Sequence, residues 1–216
     1  MLTFVAAGAD TIEFATGGQI GHVARYAAPA LLVMAMIWAL SGVSGAHFNP
    51  AVTLGFVLHG SFDVRRAPGY VLAQLAGGTA GAAVLLLLLG RAMEHGVTKP
   101  GPGFTALQAF GAEGLLTFLL VYTIVGTSEQ KAVVGKNAAL AVGGVIALCG
   151  FGFSPMSGAS MNPARSLGPM FVSGELHDAW IYIAGPCCGA LSAVLMVLLT
   201  HGRPGDEEKS TAQGRQ

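Results

Sequence analysis

An eight-residue motif occurs twice in this sequence, and its duplication constrains the fold more than any other feature. Residues 44–51 read SGAHFNPA and residues 157–164 read SGASMNPA, so six of the eight positions are identical at a separation of 113 residues. The Leu-Gly pairs that follow, at residues 54–55 and 167–168, match at the same separation. The two halves of the chain are therefore predicted to be two copies of one structural unit.

Apolar stretches long enough to cross a bilayer as helices surround both motifs. Hydrophobic residues make up 53% of the chain and charged residues only 10%, which excludes an ordinary soluble domain. One bilayer crossing takes about 20 residues of helix. We therefore predict an all-α integral membrane protein, with spans at residues 26–43, 67–89, 106–127, 138–153 and 179–200.

The chain begins with an apolar segment, residues 2–7, that is too short to cross a bilayer. Its first three residues, LTF, match residues 116–118 of the second copy, where further apolar residues and Glu113 come first. We expect the sequence to start inside the first of six transmembrane helices, without the part that would supply a counterpart of Glu113. A genuinely shortened first helix is the alternative.

An odd number of crossings in each copy predicts an inverted repeat, because the second copy then enters the membrane from the opposite side. The first copy covers residues 1–105, the second covers 106–201, and residues 202–216 form a polar tail. Basic residues concentrate in cytoplasmic loops, and here seven fall on the side of the termini against three on the other side. We therefore expect a multi-pass protein of the cell membrane, plasma or inner, with cytoplasmic termini. The seven are Arg65, Arg66, Lys131, Lys136, Arg203, Lys209 and Arg215.

Each motif opens an apolar segment that is too short to span, at residues 48–58 and 161–172. Asn is a good helix N-cap and Pro fits the first helical position. One such pair could form a turn, but two pairs in an inverted repeat predict half-helices that enter from opposite faces and meet at a pore. They begin at two triplets: Asn49, Pro50, Ala51 and Asn162, Pro163, Ala164.

The meeting point of the half-helices is predicted to favour water over ions. Each helix N-terminus carries a partial positive charge of about half a unit, which repels cations and hydrated protons. Asn49 and Asn162 can each donate an amide hydrogen to a passing oxygen.

The two copies differ chemically at the third residue after each asparagine, where Val52 in the first copy corresponds to Arg165 in the second. A charged side chain within a membrane is a functional hypothesis by default. Snorkelling to the interface is the alternative, but Arg165 lies within one turn of Asn162. We expect its five donors to replace part of the hydration of a permeating water while its charge repels cations.

The paired Ser-Gly-Ala-x-x-Asn-Pro-Ala motifs, the second followed by arginine, resemble the signature of the aquaporin or major intrinsic protein family over nearly the whole chain. The resemblance implies two re-entrant loops among six helices, and a homotetramer in a lipid bilayer with one pore per subunit for water and small neutral solutes. It also implies a narrow filter near the outer mouth at four family positions, which are Arg165, Ala159, Gly150 and Pro29 here.

Water-selective members of that family usually place an aromatic residue and a histidine in the filter, and neither stands at these four positions. We therefore predict a wider constriction than in a strict water channel. Residues 155–162 also resemble the nodulin-like plant branch, whose members pass glycerol or metalloid acids, whereas Ser166 stands where the glycerol branch typically has Asp. Water conduction is the expected function, with or without such solutes, and a solute channel with water secondary is the alternative.

Two further polar residues are expected to support the re-entrant loops. Glu113 lies near the start of an apolar helix, where a buried acid must be hydrogen-bonded, and the re-entrant backbone is its expected partner. His47 is expected to line the pore as an acceptor or to be a satisfied buried histidine, with a pH gate as the minor alternative.

Other classes of function have little support in the sequence. There is neither a nucleophile paired with a base nor a metal-ligand spacing, so no enzyme, metal site or cofactor is predicted. The net charge is zero, without a basic patch, which argues against nucleic-acid partners. A non-conducting structural membrane protein is the rival class, particularly if the shortened start is genuine.

Overall fold

The structure is a computed structural model that describes residues 1–128 and 137–214, and these residues form helices and connecting loops without any strand. Lys131, Lys136 and Arg215, which entered the charge count, lie outside the described residues. The helices in chain order are α1 Leu2–Ala15, α2 His22–Ser44, α3 Pro50–His59, α4 Ala67–Leu89, α5 Ala106–Ser128, α6 Ala138–Ser157, α7 Pro163–Ser173, α8 Ala179–Thr200 and α9 Asp206–Ala212, and a 3₁₀ helix at Gly90–Gly96 follows α4.

Five of the described helices, namely α2, α4, α5, α6 and α8, are long and apolar enough to cross a membrane. They coincide with the five predicted spans, which confirms the all-α membrane fold class. The half-helices α3 and α7 have 10 and 11 residues, and at about 1.5 Å per residue neither crosses a bilayer. Helix α1 has 14 residues, against 23 in α5, its counterpart in the second copy.

The two copies interlock through their half-helices. Helix α3 packs against α8 of the second copy, and α7 packs against α4 of the first. Helices α2 and α6, which correspond to each other in the repeat, also pack together. Both half-helices are therefore enclosed by long helices from both copies.

Small residues allow the helix backbones to approach closely, which is how helices associate in lipid. A Cβ atom at Gly189 of α8 would overlap the carbonyl oxygen of Gly114 on α5. A Cβ atom at Gly168 of α7 would lie 2.5 Å from the carbonyl oxygen of Gly78 on α4. These contacts fix how deep α7 and α8 sit in the bundle.

A cavity of about 740 Å³ opens beside the first residues of α1, and its lining includes residues of α4, Asn162 and Arg165. On α8, Gly185 lies against Glu113 of α5.

The polar tail is docked onto the bundle, which the sequence did not predict. Glu208 Oε1 in α9 lies 3.1 Å from Nδ1 of His59, and both side chains are buried. The Gln213 carbonyl oxygen accepts a hydrogen bond from Nη1 of Arg66 at 3.3 Å. Helix α9 is therefore held beside the end of α3 and the start of α4.

Candidate functional site

Both half-helices begin at an asparagine side chain that caps the helix. Asn49 Oδ1 accepts a hydrogen bond from the backbone N–H of Ala51 at 2.9 Å. Asn162 Oδ1 accepts from the N–H groups of Ala164 at 3.0 Å and Arg165 at 3.3 Å. A proline follows each cap at the start of the helix, where a backbone N–H would have no intrahelical partner.

The N-termini of α3 and α7 meet through reciprocal hydrogen bonds. Asn49 Nδ2 donates to the carbonyl oxygen of Met161 at 2.7 Å, and Asn162 Nδ2 donates to that of Phe48 at 3.0 Å. Each amide nitrogen carries two hydrogens, so one hydrogen of each can serve another acceptor. These bonds hold two helix N-termini, with their partial positive charges, at one point in the bundle.

The loops that lead into the half-helices share an unusual backbone conformation. Ala46 and Phe48 have φ values of 50° and 52°, and the matching Ala159 and Met161 have 45° and 54°. Positive φ is strained for residues other than glycine, and such strain persists only where the surroundings impose it. Both copies of the repeat therefore share this loop geometry, although Phe48 in the first corresponds to Met161 in the second.

A narrow cavity of about 70 Å³ passes both capping asparagines. Its polar lining includes Asn49, Asn162, Arg165 and His47. Arg25, Tyr26 and Ser160 also line it, and much of the remaining wall is aliphatic. The aliphatic residues include Leu2, Ala6, Val33, Ile37, Val52, Leu120, Ile124, Val142 and Ile146.

Arg165 is 5% exposed and lines this cavity. Its Nη2 donates to Oδ2 of Asp10 at 2.9 Å, and its Nη1 donates to the carbonyl oxygen of Gly96 at 3.4 Å. Asp10 Oδ1 also lies 3.5 Å from Nη1 of Arg25. One carboxylate on α1 thus stands between two guanidinium groups.

Of the other three predicted filter residues, Ala159 and Pro29 line the narrow cavity, whereas Gly150 is not part of its lining. A Cβ atom at Gly150 would lie 2.6 Å from Cβ and 2.8 Å from Cγ of Tyr26. Tyr26 itself lines the cavity. The missing side chain at Gly150 therefore makes room for a tyrosine and does not by itself widen the passage.

Glu113 is fully buried and binds the second re-entrant loop. Its Oε1 accepts hydrogen bonds from Ser157 Oγ at 2.8 Å and from the Ser160 N–H at 2.9 Å, and its Oε2 accepts from the Met161 N–H at 2.7 Å. These bonds satisfy backbone donors that the strained loop cannot pair within itself.

His47 is buried and hydrogen-bonded at both ring nitrogens. Its Nε2 lies 2.9 Å from the carbonyl oxygen of Ala212 in the docked tail, and its Nδ1 lies 3.0 Å from Oγ1 of Thr53. A carbonyl only accepts, so Nε2 carries the proton. Burial lowers the pKa of His47, which lies in the loop after α2, to about 4, and the ring is neutral at physiological pH.

The second loop has a matching polar contact at the same repeat positions. Ser160 corresponds to His47 and Ser166 to Thr53, and Ser166 Oγ donates to Ser160 Oγ at 2.6 Å. Thr98 Oγ1 in turn donates to Ser166 Oγ at 2.7 Å. Each loop is therefore tied to its own half-helix by one polar pair.

Sequence reasoning did not identify Asp10 and Tyr26. Tyr26 precedes Pro29 by one helical turn, so it lies on the same face of α2, and this spacing could have indicated it. Asp10 is the first acidic residue after the apolar start of the chain. Only the structure shows that it lies within a helix, because α1 extends to Ala15.

Comparisons with known proteins agree with this geometry. The family described as major intrinsic protein matches residues 1–197. "Aquaporin NIP1-1" of Zea mays is 43% identical over 193 residues, which cover 88% of this chain and 67% of that protein. "Nodulin-26" of Glycine max is 40% identical over 163 residues, covering 75% of this chain and 59% of that protein. The structure of the aquaglyceroporin from Plasmodium falciparum superimposes with a TM-score of 0.78 at 25% identity, covering 91% of each chain.

Proposed function

The chain belongs to the major intrinsic protein family and is a passive membrane channel for water and small neutral solutes, and we propose that it excludes protons and other ions. The observation that carries this proposal is the meeting of the two capped half-helices at one narrow cavity. Two helix N-termini directed at one point make that point positive. A cation that has shed its hydration shell there would meet two amide donors and a largely aliphatic wall, which cannot replace a full shell of water oxygens.

Water suits the same site because it can accept the remaining amide hydrogens. A water whose oxygen accepts from Asn49 or Asn162 turns its own hydrogens away from the asparagines. The waters above and below this central water then cannot join into one hydrogen-bonded chain with a single orientation. Protons therefore have no path along which to hop. We propose this as the role of the two Asn-Pro-Ala triplets.

We propose that the selectivity filter consists of Arg165, Ala159 and Pro29 together with Tyr26, with Gly150 behind the tyrosine. All but Gly150 line the narrow cavity. The small side chains of Ala159 and Pro29 favour passage of molecules larger than water. The Tyr26 ring fills part of the space beside Gly150. Water and a small solute of glycerol size are therefore both substrates in this proposal.

The second candidate is a channel in which solute is the main substrate and water is secondary. The aquaglyceroporin neighbour and the small Ala159 side chain support it. The ratio of glycerol permeability to water permeability separates the candidates, because it is high if solute is the main substrate and low if water is.

We also propose that the protein forms a homotetramer in a plasma or inner membrane, with cytoplasmic termini. Family membership and the distribution of basic residues support this assembly and orientation. The mass of the detergent-solubilised complex by native mass spectrometry tests the tetramer. Cleavage of a terminal tag in sealed, oriented vesicles tests the orientation.

Stopped-flow light scattering on proteoliposomes tests the channel function. Vesicles with the protein should shrink faster than empty vesicles in a sucrose gradient, and re-swell in gradients of glycerol or urea. A voltage-clamp or pH-dye measurement on the same vesicles should show no added ion or proton current. Water and glycerol fluxes no faster than in empty vesicles would point to the non-conducting structural alternative.

A further inference from the structure

The carboxylate that binds Arg165 of α7 belongs to Asp10, which lies on α1 in a distant part of the chain. Arg165 Nη2 is 2.9 Å from Asp10 Oδ2, and the two side chains are 6% and 16% exposed. The second nitrogen, Nη1, points to the Gly96 carbonyl oxygen. Both terminal nitrogens of the guanidinium are therefore engaged on the side of α1 and the 3₁₀ helix.

The same carboxylate separates two positive charges. Arg25 Nη1 lies 3.5 Å from Asp10 Oδ1, and its guanidinium carbon lies 5.5 Å from the ring centre of Tyr26. Without Asp10, Arg25 and Arg165 would be two like charges near one constriction. With it, the three groups carry one net positive charge.

At the corresponding repeat positions, aliphatic residues replace both members of this charged contact. Arg165 corresponds to Val52 in the first copy, and Asp10, in the register that matches residues 2–4 to 116–118, corresponds to Ile124 in the second. Val52 and Ile124 both line the narrow cavity as aliphatic groups. Asp10 and Arg165 are the charged members of their two pairs, and they contact each other.

We propose that Asp10 is a specificity-determining positioning residue, which holds the Arg165 guanidinium against the wall of the pore and thereby sets the width and charge of the filter. It acts through Arg165 and does not itself need to touch the permeating molecule. This inference rests on the proposed filter. Without the carboxylate, Arg165 loses its charged partner, and its guanidinium is free to turn into the cavity that it lines.

The expected consequence is a loss of solute passage that exceeds any loss of water passage. A guanidinium that leans into the lumen obstructs glycerol before it obstructs a single file of water. For Asp10→Asn we expect the glycerol-to-water permeability ratio to fall about tenfold, which corresponds to about 1.4 kcal/mol. Asp10→Glu keeps the carboxylate and should keep most of the ratio.

Stopped-flow measurements of water and glycerol permeability test the proposal, with protein content per vesicle measured by immunoblot. Glu13→Gln is the matched control, since Glu13 lies on the same helix but accepts from the N–H groups of Ile20 and Gly21 at 2.8 and 2.9 Å. Asp10→Asn is then repeated in an Arg165→Val background. A positioning role predicts that Asp10→Asn lowers the ratio only when Arg165 is present.

Three results would overturn the inference while leaving the channel function intact: an unchanged ratio in Asp10→Asn, an equal fall in the Arg165→Val background, or an equal fall in Glu13→Gln. Absence of any water and glycerol flux in the unsubstituted protein would instead overturn the proposed function, and this inference with it. If Asp10→Asn inserts poorly into the membrane, Asp10→Glu is the second test. Asp10→Glu keeps the negative charge, so it should insert normally and keep most of the permeability ratio.

Discussion

The anchoring of the second re-entrant loop by Glu113 gives a prediction whose size follows from the hydrogen bonds. In Glu113→Gln, the amide oxygen can keep the two bonds that Oε1 accepts, whereas the NH₂ group would face the Met161 N–H as a second donor. The bond from Met161 is lost and the other two lose their charge assistance, which we expect to cost about 2 kcal/mol in total. In Glu113→Ala all three bonds are lost, which we expect to cost about 5 kcal/mol.

The assay is thermal stability of the purified protein in detergent, followed by size-exclusion chromatography after heating, with water permeability measured in parallel. For a chain of this length about 1 kcal/mol shifts the midpoint by about 2 to 4 °C, so we expect a fall of about 4 to 8 °C for glutamine and more than twice that for alanine. Water permeability should fall in the same order.

A surface acid provides the control for that series. Glu94 faces Arg91 at 3.5 Å on an exposed surface, so Glu94→Gln should change stability by less than about 0.5 kcal/mol. Equal shifts for the glutamine and alanine variants of Glu113, or shifts no larger than that of the control, would refute the reasoning that this carboxylate holds the loop.

Four further predictions concern the pore and the bundle. Ala159→Phe should reduce glycerol flux more than water flux in stopped-flow measurements, and equal losses would mean that Ala159 does not face the passage. Tyr26→Ala should raise glycerol flux, because it empties the space beside the glycine of α6; an unchanged flux would place the constriction elsewhere. Gly189→Val should abolish recovery of folded protein, since its Cβ would overlap a carbonyl oxygen of α5, whereas Gly77→Ala, with no atom within 4 Å of its Cβ, should be recovered normally. Because the pKa of His47 is lowered to about 4, the ring gains a proton only well below pH 6.5, and water permeability should be constant from pH 8 to about pH 5.5; a step near pH 6.5 would contradict its burial.

The parts of the fold that the sequence predicts are those with local signals. Long apolar runs locate α2, α4, α5, α6 and α8, because each run must satisfy its backbone as a helix in lipid. Asn-Pro starts α3 and α7 because the cap and the missing N–H act within one turn. The helix ends differ by a few residues, as with α2, which begins at His22 and not at residue 26.

The parts that the sequence does not predict depend on contacts between distant residues. Asp10 and Arg165 are 155 residues apart, and no periodicity within either helix indicates their contact. Tyr26 reaches the space beside Gly150 only because α2 and α6 pack together. Family spacing assigned Gly150 to the filter by position, but position does not say which neighbouring side chain fills the space that a glycine leaves.

Side chains make the two ends of the passage differ where the backbone is alike. Both loops have similar positive φ values and both half-helices have an asparagine cap, so the loops and caps alone do not distinguish the two ends. Val52 and Arg165 differ at one such pair of positions, and the buried arginine then requires a counter-charge that Asp10 supplies. Differences at two paired positions are therefore enough to place the buried charges on one side of the passage, while the loops and caps of the two copies stay alike.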